Sequence, residues 1–273
     1  MADKRAIGVF DSGLGGLTVI KELRRILPNE DIIYFGDTGR VPYGTKSRDT
    51  IIKYASQDEK FLLSKNVKLI IAACGTVSSV ASQEAEKLPV PFFEVVSHAA
   101  NEAAKLTLNK KIGVLGTNAT VKSGKHAEFI KKILPEAEII SCGCSMFVPL
   151  VEEGWHSADD IVVLETVKRY LKPVIASGAD TVILGCTHYP VLKDAIRSVV
   201  GAGVNLVNAG TSTSEAVYKY LSENSLLNDK DTKGDAQFFV SDKPDSFRKI
   251  ASILLGEEID EKKVEQVDIS NYD

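Results

Sequence analysis

Two cysteines, Cys74 and Cys186, are the first candidates for chemistry, because each follows a short apolar run that ends in small residues. The runs cover residues 69–73 and 181–185. A continuous apolar run of this length is typical of a parallel strand covered on both faces. Ligands of open α/β sheets bind beyond the carboxyl ends of such strands. The two thiols are therefore predicted to face one ligand, and together they could move a proton from one face of a carbon to the other.

Neighbouring residues could tune these thiols. Thr76 and Thr187 follow the two cysteines closely, and their hydroxyl and N–H groups could bind an anion. His188 could relay a proton or act as an electrostatic partner; alternatively it anchors the turn before Pro190. We favour the functional role, because a free thiol titrates near pH ~8.5 and responds to a modest positive field. The other cysteines and histidines are expected to be structural or exposed: Cys142, Cys144, His98, His126 and His156.

A glycine-rich turn at residues 11–16 follows the first predicted strand and opens a helix. Backbone N–H groups in such turns bind anions, including carboxylates. A dinucleotide-binding fingerprint is excluded, because Thr18 stands where its third glycine is required. Asp11 is predicted to face the same cleft as Cys74, although it could simply cap the helix.

Two further stretches could contribute to the cleft. In the loop after the second predicted strand, Pro42 fixes the turn, Tyr43 offers a hydroxyl and Gly44 lets a ligand approach the backbone. An ordinary turn explains that loop equally well. Glu152 and Glu153 could form a solvated pair, or one of them could point into the cleft.

Composition excludes several classes of protein. The chain has 273 residues and a net charge of −4, so nothing indicates a nucleic-acid partner. No apolar run reaches the ~18 residues of a membrane helix, and the N-terminus leads directly into a strand pattern without a signal peptide. We therefore expect a cytoplasmic protein with reduced cysteines and no membrane partner. Metal binding is not expected, because no Cys-x2-Cys or His-x3-His pair occurs.

Apolar runs alternate with amphipathic stretches, which predicts an α/β fold with parallel sheets. Strands are expected at residues 7–10, 32–35, 69–73 and 92–96, and helices near 17–27 and 50–65. The pattern restarts at residues 112–117, which echo the first strand 105 residues earlier; the two cysteines are 112 residues apart. The similar offsets predict two structural repeats that face each other.

The repeats predict two α/β domains, residues 1–97 with 210–273 and residues 98–209. The tail, with a helix near 212–222 and a strand at 237–240, is expected to pack back onto the first unit. Residues 223–235 are predicted to form a surface loop. Only the last few residues suggest disorder.

Six motifs in the order and spacing of this sequence resemble glutamate racemase: residues 11–13, 36–38, 40–44, 73–74, 147–154 and 184–190. The resemblance implies two pseudo-symmetric α/β domains, each a mostly parallel sheet flanked by helices, with the active site at the domain interface. It also implies racemisation of glutamate by two bases without a cofactor or metal, supplying D-glutamate for peptidoglycan, the cell wall and cell shape. A homodimer is expected. The implied catalytic residues are Cys74, Cys186, Asp11, His188 and Glu152, and the implied substrate-binding residues are Asp11, Ser12, Pro42, Tyr43, Gly44, Gly75, Thr76, Thr187 and His188.

The sequence departs from the resemblance at Gly75, where this family usually has asparagine after its first cysteine. Asparagine at this position is expected to add hydrogen bonds to the substrate and lower its KM. The opposite result would indicate a site rebuilt around glycine.

Three alternative functions stay open. The first is a racemase for another amino acid, such as aspartate, or for a hydantoin. The second is a thiol hydrolase that forms an acyl-enzyme with Cys186 and His188. The third is a binding protein that has lost catalysis through Gly75.

Overall fold

The structure is a computed structural model that describes residues 2–81 and 87–273. In these ranges the strands are β1 (Ile7–Asp11), β2 (Ile32–Gly36), β3 (Leu69–Ala72), β4 (Phe92–Glu94), β5 (Lys111–Gly116), β6 (Glu138–Gly143), β7 (Thr181–Leu184), β8 (Asn205–Asn208), β9 (Ala236–Val240) and β10 (Val264–Gln266). The helices are α1 (Leu17–Ile26), α2 (Arg48–Ser64), α3 (Gly75–Val80), α4 (Val95–Leu106), α5 (Asn118–Ser123), α6 (Lys125–Ile133), α7 (Phe147–Glu152), α8 (Ile161–Ser177), α9 (Lys193–Val200), α10 (Ala209–Glu223) and α11 (Pro244–Leu255).

The strands form two sheets in which every described pair is parallel. The first sheet has the order β10-β9-β2-β1-β3-β4, and the second has the order β6-β5-β7-β8. The order β2-β1-β3-β4 therefore recurs in the second sheet. This confirms the predicted α/β fold with two parallel sheets flanked by helices.

The register of the sheets places the two cysteines at equivalent positions. Phe10 of β1 pairs with Ala72 of β3, and Leu115 of β5 pairs with Leu184 of β7. One cysteine follows two residues after Ala72 and the other two residues after Leu184. Strands β1, β3 and β7 are buried along their whole length, which explains their continuous apolar sequences.

Two helices connect the sheets. Helix α4 leads from β4 of the first sheet to β5 of the second, and α10 leads from β8 back to β9. The two helices pack against each other. One cluster of buried apolar side chains includes strand residues of both sheets, such as Val9 and Val182.

The prediction of a strand over residues 92–96 is wrong at its end. The strand stops at Glu94, and α4 begins at Val95. The Glu94 carboxylate accepts hydrogen bonds from the N–H groups of Val96 and Ser97, at 2.6 and 2.8 Å. This N-cap starts the helix although valine favours strands, because it satisfies N–H groups that have no partner within the helix.

The C-terminal tail packs back onto the first sheet as predicted, with β9 beside β2. Helix α11 and strand β10 were not predicted. The expected disorder of the last residues is wrong: Ile269 is buried, and the ring of Tyr272 lies 5.4 Å from that of Phe61. In the described ranges, no helix combines the length and apolar character needed to cross a membrane.

Candidate active site

A cavity of about 380 Å³ lies between the carboxyl ends of the two sheets. Its wall is built from the segments that follow β1, β2 and β3 of the first sheet and β5, β6 and β7 of the second. The structure brings every residue of the predicted site to this wall: Asp11, Ser12, Pro42, Tyr43, Gly44, Cys74, Gly75, Thr76, Glu152, Cys186, Thr187 and His188.

Cys74 is a buried thiol at the end of β3. Its sulfur lies 3.3 Å from the Ser12 hydroxyl oxygen. Burial, together with the negative charge of Asp11, raises the pKa of Cys74 to about 12. Cys74 therefore carries its proton at neutral pH and is placed to act as a proton donor.

Asp11 ends β1 and is fully enclosed. One carboxylate oxygen accepts a hydrogen bond from the N–H of Gly13, at 3.1 Å. The other oxygen is buried and has no hydrogen-bond partner among the described residues. Burial raises the pKa of Asp11, while the charge of His188 and backbone N–H groups lower it. A buried carboxylate oxygen without a partner is costly, so the Asp11 carboxylate favours a cation nearby, such as the His188 imidazolium.

Cys186, His188 and Glu152 form a chain of polar contacts on the opposite wall. The Cys186 sulfur lies 4.0 Å from Nδ1 of His188, and Nε2 of His188 lies 3.1 Å from a carboxylate oxygen of Glu152. Burial alone lowers the pKa of His188, but the hydrogen bonds to Cys186 and Glu152 outweigh it and raise the pKa to about 10. His188 is thus an imidazolium at neutral pH, and its cation faces Cys186.

The contact between His188 and Glu152 shows which member of the Glu152–Glu153 pair points into the cleft. Glu152 lines the cavity, whereas Glu153 does not.

The glycine-rich turn after β1 touches the loop that carries His188. A Cβ atom at Gly15 would stand 2.1 Å from the Thr187 hydroxyl oxygen and 2.5 Å from Nδ1 of His188. The Thr18 hydroxyl donates to the Thr187 carbonyl oxygen, at 2.7 Å. The turn therefore fixes the position of the His188 loop and leaves no room for a side chain at residue 15.

The expectation that Tyr43 offers its hydroxyl to a ligand is wrong. Tyr43 borders the cavity, but its hydroxyl donates to Asp37 and also lies 3.2 Å from Asp58, and neither of these carboxylates lines the cavity. Both carboxylates are buried. The polar groups that this loop can present to a ligand are therefore those of its backbone and of Thr45.

Sequence reasoning missed the contribution of the segment after β5 to the cavity wall, where Thr117, Asn118 and Thr120 lie. A signal was present, because Thr117 stands 105 residues after Ser12, which is the offset of the repeated strand. The remaining cysteines and histidines do not line the cavity: Cys142, Cys144, His98, His126 and His156. Within the described residues, no group of three or more metal-ligating side chains could hold a metal ion.

Comparison with known proteins identifies the family. Residues 7–217 match the family of Asp/Glu/Hydantoin racemases. The chain belongs to this racemase family. It is 43% identical to the glutamate racemase of Geobacter metallireducens over 253 residues. This aligned segment covers 92% of this chain and 93% of the relative.

Solved structures of racemases share the whole fold. The glutamate racemase of Francisella tularensis in complex with D-glutamate superposes with a TM-score of 0.91 at 40% identity, over 99% of this chain and 100% of the other. The glutamate racemase of Thermus thermophilus in complex with β-chloro-D-alanine gives a TM-score of 0.88 at 41% identity, over 99% of both chains. The protein is therefore an amino-acid racemase, an isomerase with two parallel sheets.

Proposed function

We propose that the protein interconverts L- and D-glutamate by proton transfer between Cys74 and Cys186, without a cofactor. One observation carries the proposal: two cysteines from topologically equivalent strands border a single cavity. A base on one face of the α-carbon and an acid on the other must be present together, and two thiols can exchange these roles.

The different surroundings of the two thiols suggest which cysteine acts as the base and which as the acid in one direction of the reaction. For one direction of the reaction we assign Cys186, which lies 4.0 Å from Nδ1 of His188, as the base that acts through its thiolate, and Cys74, whose pKa is raised by burial, as the acid. The thiolate takes the α-proton, and the carbanion then receives a proton from the Cys74 thiol on the other face. Cys186 ends as the thiol and Cys74 as the thiolate, from which the reverse reaction begins.

The cavity wall offers groups for both charges of an amino acid. The Asp11 carboxylate suits the ammonium group, and the hydroxyls of Ser12, Thr76 and Thr187 suit carboxylates. The loop from Pro42 to Gly44 and the Gly75 backbone complete the proposed substrate site. Fixed dipoles in an enclosed site stabilise the developing carbanion.

Glutamate is favoured as the substrate because relatives above 40% identity over most of their length are glutamate racemases. We further propose that the product D-glutamate serves peptidoglycan synthesis and that the protein works as a cytoplasmic homodimer. Four free cysteines suit a reducing compartment. We place the domain boundaries at residues 97/98 and 209/210, within the connecting helices α4 and α10.

Two other functions give different results in one experiment. The purified protein is incubated with L-glutamate, L-aspartate or a hydantoin in deuterated water, and both α-proton exchange and optical rotation are followed. We expect exchange and loss of rotation with glutamate. Rotation lost only with aspartate or the hydantoin would reassign the substrate, and an inert α-proton in all three would refute the racemase.

The hydrolase alternative rests on the contact between Cys186 and His188 and needs only that thiol. Hydrolysis of thioesters or activated esters that survives Cys74→Ser, without racemisation by the unmodified protein, would favour it.

A further inference from the structure

A buried polar cluster lies behind the part of the cavity wall formed by residues 42–45. It consists of Asp37 and Arg40 from the loop after β2, Tyr43 from the wall itself, and Asp58 from the middle of α2. Arg40 donates through Nε to Asp37 at 2.5 Å and through a terminal nitrogen to Asp58 at 3.1 Å. Its other terminal nitrogen donates to Gln57. Tyr43 reaches both carboxylates.

The number of protons in this cluster is fixed by its contacts. The Tyr43 hydroxyl has a single proton, which burial and two adjacent carboxylates hold by raising its pKa. It donates this proton to Asp37, which is also the acceptor for Arg40 and for the Ser241 hydroxyl, at 2.7 Å. The contact of 3.2 Å between the Tyr43 oxygen and the second oxygen of Asp58 then lacks a proton, unless Asp58 supplies one.

The charges lead to the same count. Two fully buried carboxylates and the one partly buried guanidinium of Arg40 would leave a net negative charge, whereas one proton makes the cluster neutral. With that proton on Asp58, its hydroxyl donates to Tyr43, and its carbonyl oxygen accepts from Arg40. Every contact in the cluster then joins one donor to one acceptor.

We propose that Asp58 is a protonated positioning residue, which holds Tyr43 and thereby the substrate-facing loop of residues 42–45 against the cavity. The proposal rests on the proposed function, because the loop it positions is part of the proposed glutamate site. Asp58 does not border the cavity and acts only through Tyr43.

The surroundings of Asp58 favour the neutral form. Burial raises its pKa well above the ordinary value, the Asp37 and Glu59 charges add to this, and Arg40 and Tyr43 oppose it. Other titratable or charged groups lie on the strands and turns packed against α2. Among the described residues, none of these groups makes a hydrogen bond to Asp58: Asp11, Tyr34, Asp268, Tyr272 and Asp273. Helix α3, which also packs there, has no charged residue.

A pH dependence follows. Below the pKa of Asp58 the cluster is neutral and the loop is held. As the pH rises through that pKa, Asp58 becomes a second buried anion beside Asp37, and the hydrogen bond to Tyr43 is lost. We therefore expect the KM for glutamate to rise at alkaline pH with the midpoint of Asp58, separately from the loss of the His188 imidazolium near pH 10.

The same substitution at the two carboxylates tests the proposal. In Asp58→Asn the amide donates to Tyr43 and accepts from Arg40, as the protonated acid does, so KM near pH ~7 is expected within about twofold of the unmodified protein. Because an amide does not titrate, the rise in KM at alkaline pH should be absent in Asp58→Asn. Asp37→Asn replaces an oxygen that accepts hydrogen bonds from both Arg40 and Tyr43, and the KM of this variant is expected to rise by roughly tenfold or more. A large KM increase in Asp58→Asn with an unchanged pH profile would overturn the proposal.

A second measurement needs neither a variant nor activity. The Asp58 carboxyl carbon of the unmodified protein, labelled with carbon-13 and assigned through its own backbone, should report a protonated acid at neutral pH. The amide of Gly44 should shift with the same midpoint. An ionised Asp58 would refute the proposal even in an active enzyme. A protonated Asp58 in a protein that fails to racemise glutamate would instead refute only the proposed function.

Discussion

Gly75 lies against the backbone of Gly185, so that a Cβ atom at residue 75 would stand 2.6 Å from the Gly185 carbonyl oxygen. The contact joins the first residue of α3 to the loop after β7. Cys74 immediately precedes α3 and Cys186 lies in that loop, so the absence of a side chain at residue 75 lets the two thiol-bearing segments come together. Of the two outcomes considered for asparagine at this position, the geometry favours a site built around glycine.

We therefore expect Gly75→Asn and Gly75→Ala to lower kcat/KM for glutamate by about tenfold or more. Either side chain must push backbone away from backbone, and overpacking typically costs ~1–3 kcal/mol, where ~1.4 kcal/mol is a factor of ten in rate. Racemisation followed by circular dichroism measures the effect. Gly203→Ala is the matched control, because a Cβ there meets no heavy atom within 4 Å. A lower KM with unchanged kcat in Gly75→Asn would contradict this prediction.

The two thiols are expected to be separately indispensable. Cys74→Ser and Cys186→Ser should each reduce racemisation by roughly a hundredfold to ten-thousandfold, because each removes one of two obligatory proton-transfer groups. Each variant should still exchange the α-proton of one enantiomer with deuterated solvent through the surviving thiol. Proton NMR of L- and D-glutamate, incubated separately, measures this exchange.

The other pair of cysteines supplies the control for this experiment. Cys142→Ala and Cys144→Ala change buried thiols that do not border the cavity, so both variants should racemise at nearly the normal rate. If Cys74→Ser or Cys186→Ser behaved like these controls, the two-base assignment would be wrong.

The sheets could be predicted because burial on both faces leaves a clear mark in the sequence. Strands such as β3 and β7 are continuous apolar runs, and the repeat offset placed their cysteines at equivalent ends. The boundary of β4 was misjudged because the capping by Glu94 depends on side-chain geometry. Strand β10 was missed because it is short and mostly exposed at a sheet edge.

The polar support of the site could not be predicted in the same way. Gln57, Asp58 and Glu59 are consecutive polar residues within α2, and such a run normally indicates a solvated face. All three are buried, and the loop after β2 brings Arg40 against Gln57 and Asp58. The contact arises only when segments distant in sequence fold together, so no local pattern carries it.

The contact between Glu152 and His188 predicts a change in the pH profile. The imidazolium is present below its pKa of about 10, and catalysis that depends on it should fall as the pH rises through that value. Glu152→Gln removes a negative partner and lowers the pKa of His188, so the alkaline limb of kcat/KM should move to lower pH. Glu153→Gln is the control, since Glu153 lies outside the cavity wall. Coincident alkaline limbs for both variants would exclude this role of Glu152.

We expect His126 of α6 to make the protein sensitive to acid. It is buried, neither ring nitrogen has a hydrogen-bond partner among the described residues, and burial lowers its pKa from 6.5 to about 4. The unfolded chain binds this proton as the pH falls through 6.5, but the folded chain binds it only near 4, so stability is lost between these values. The loss is roughly 3 kcal/mol, at about 1.4 kcal/mol per pH unit. Urea unfolding at several pH values should show a flatter dependence for His126→Phe than for His156→Phe, which changes a half-exposed histidine. Equal dependences in the two variants would show that His126 finds a partner for its proton.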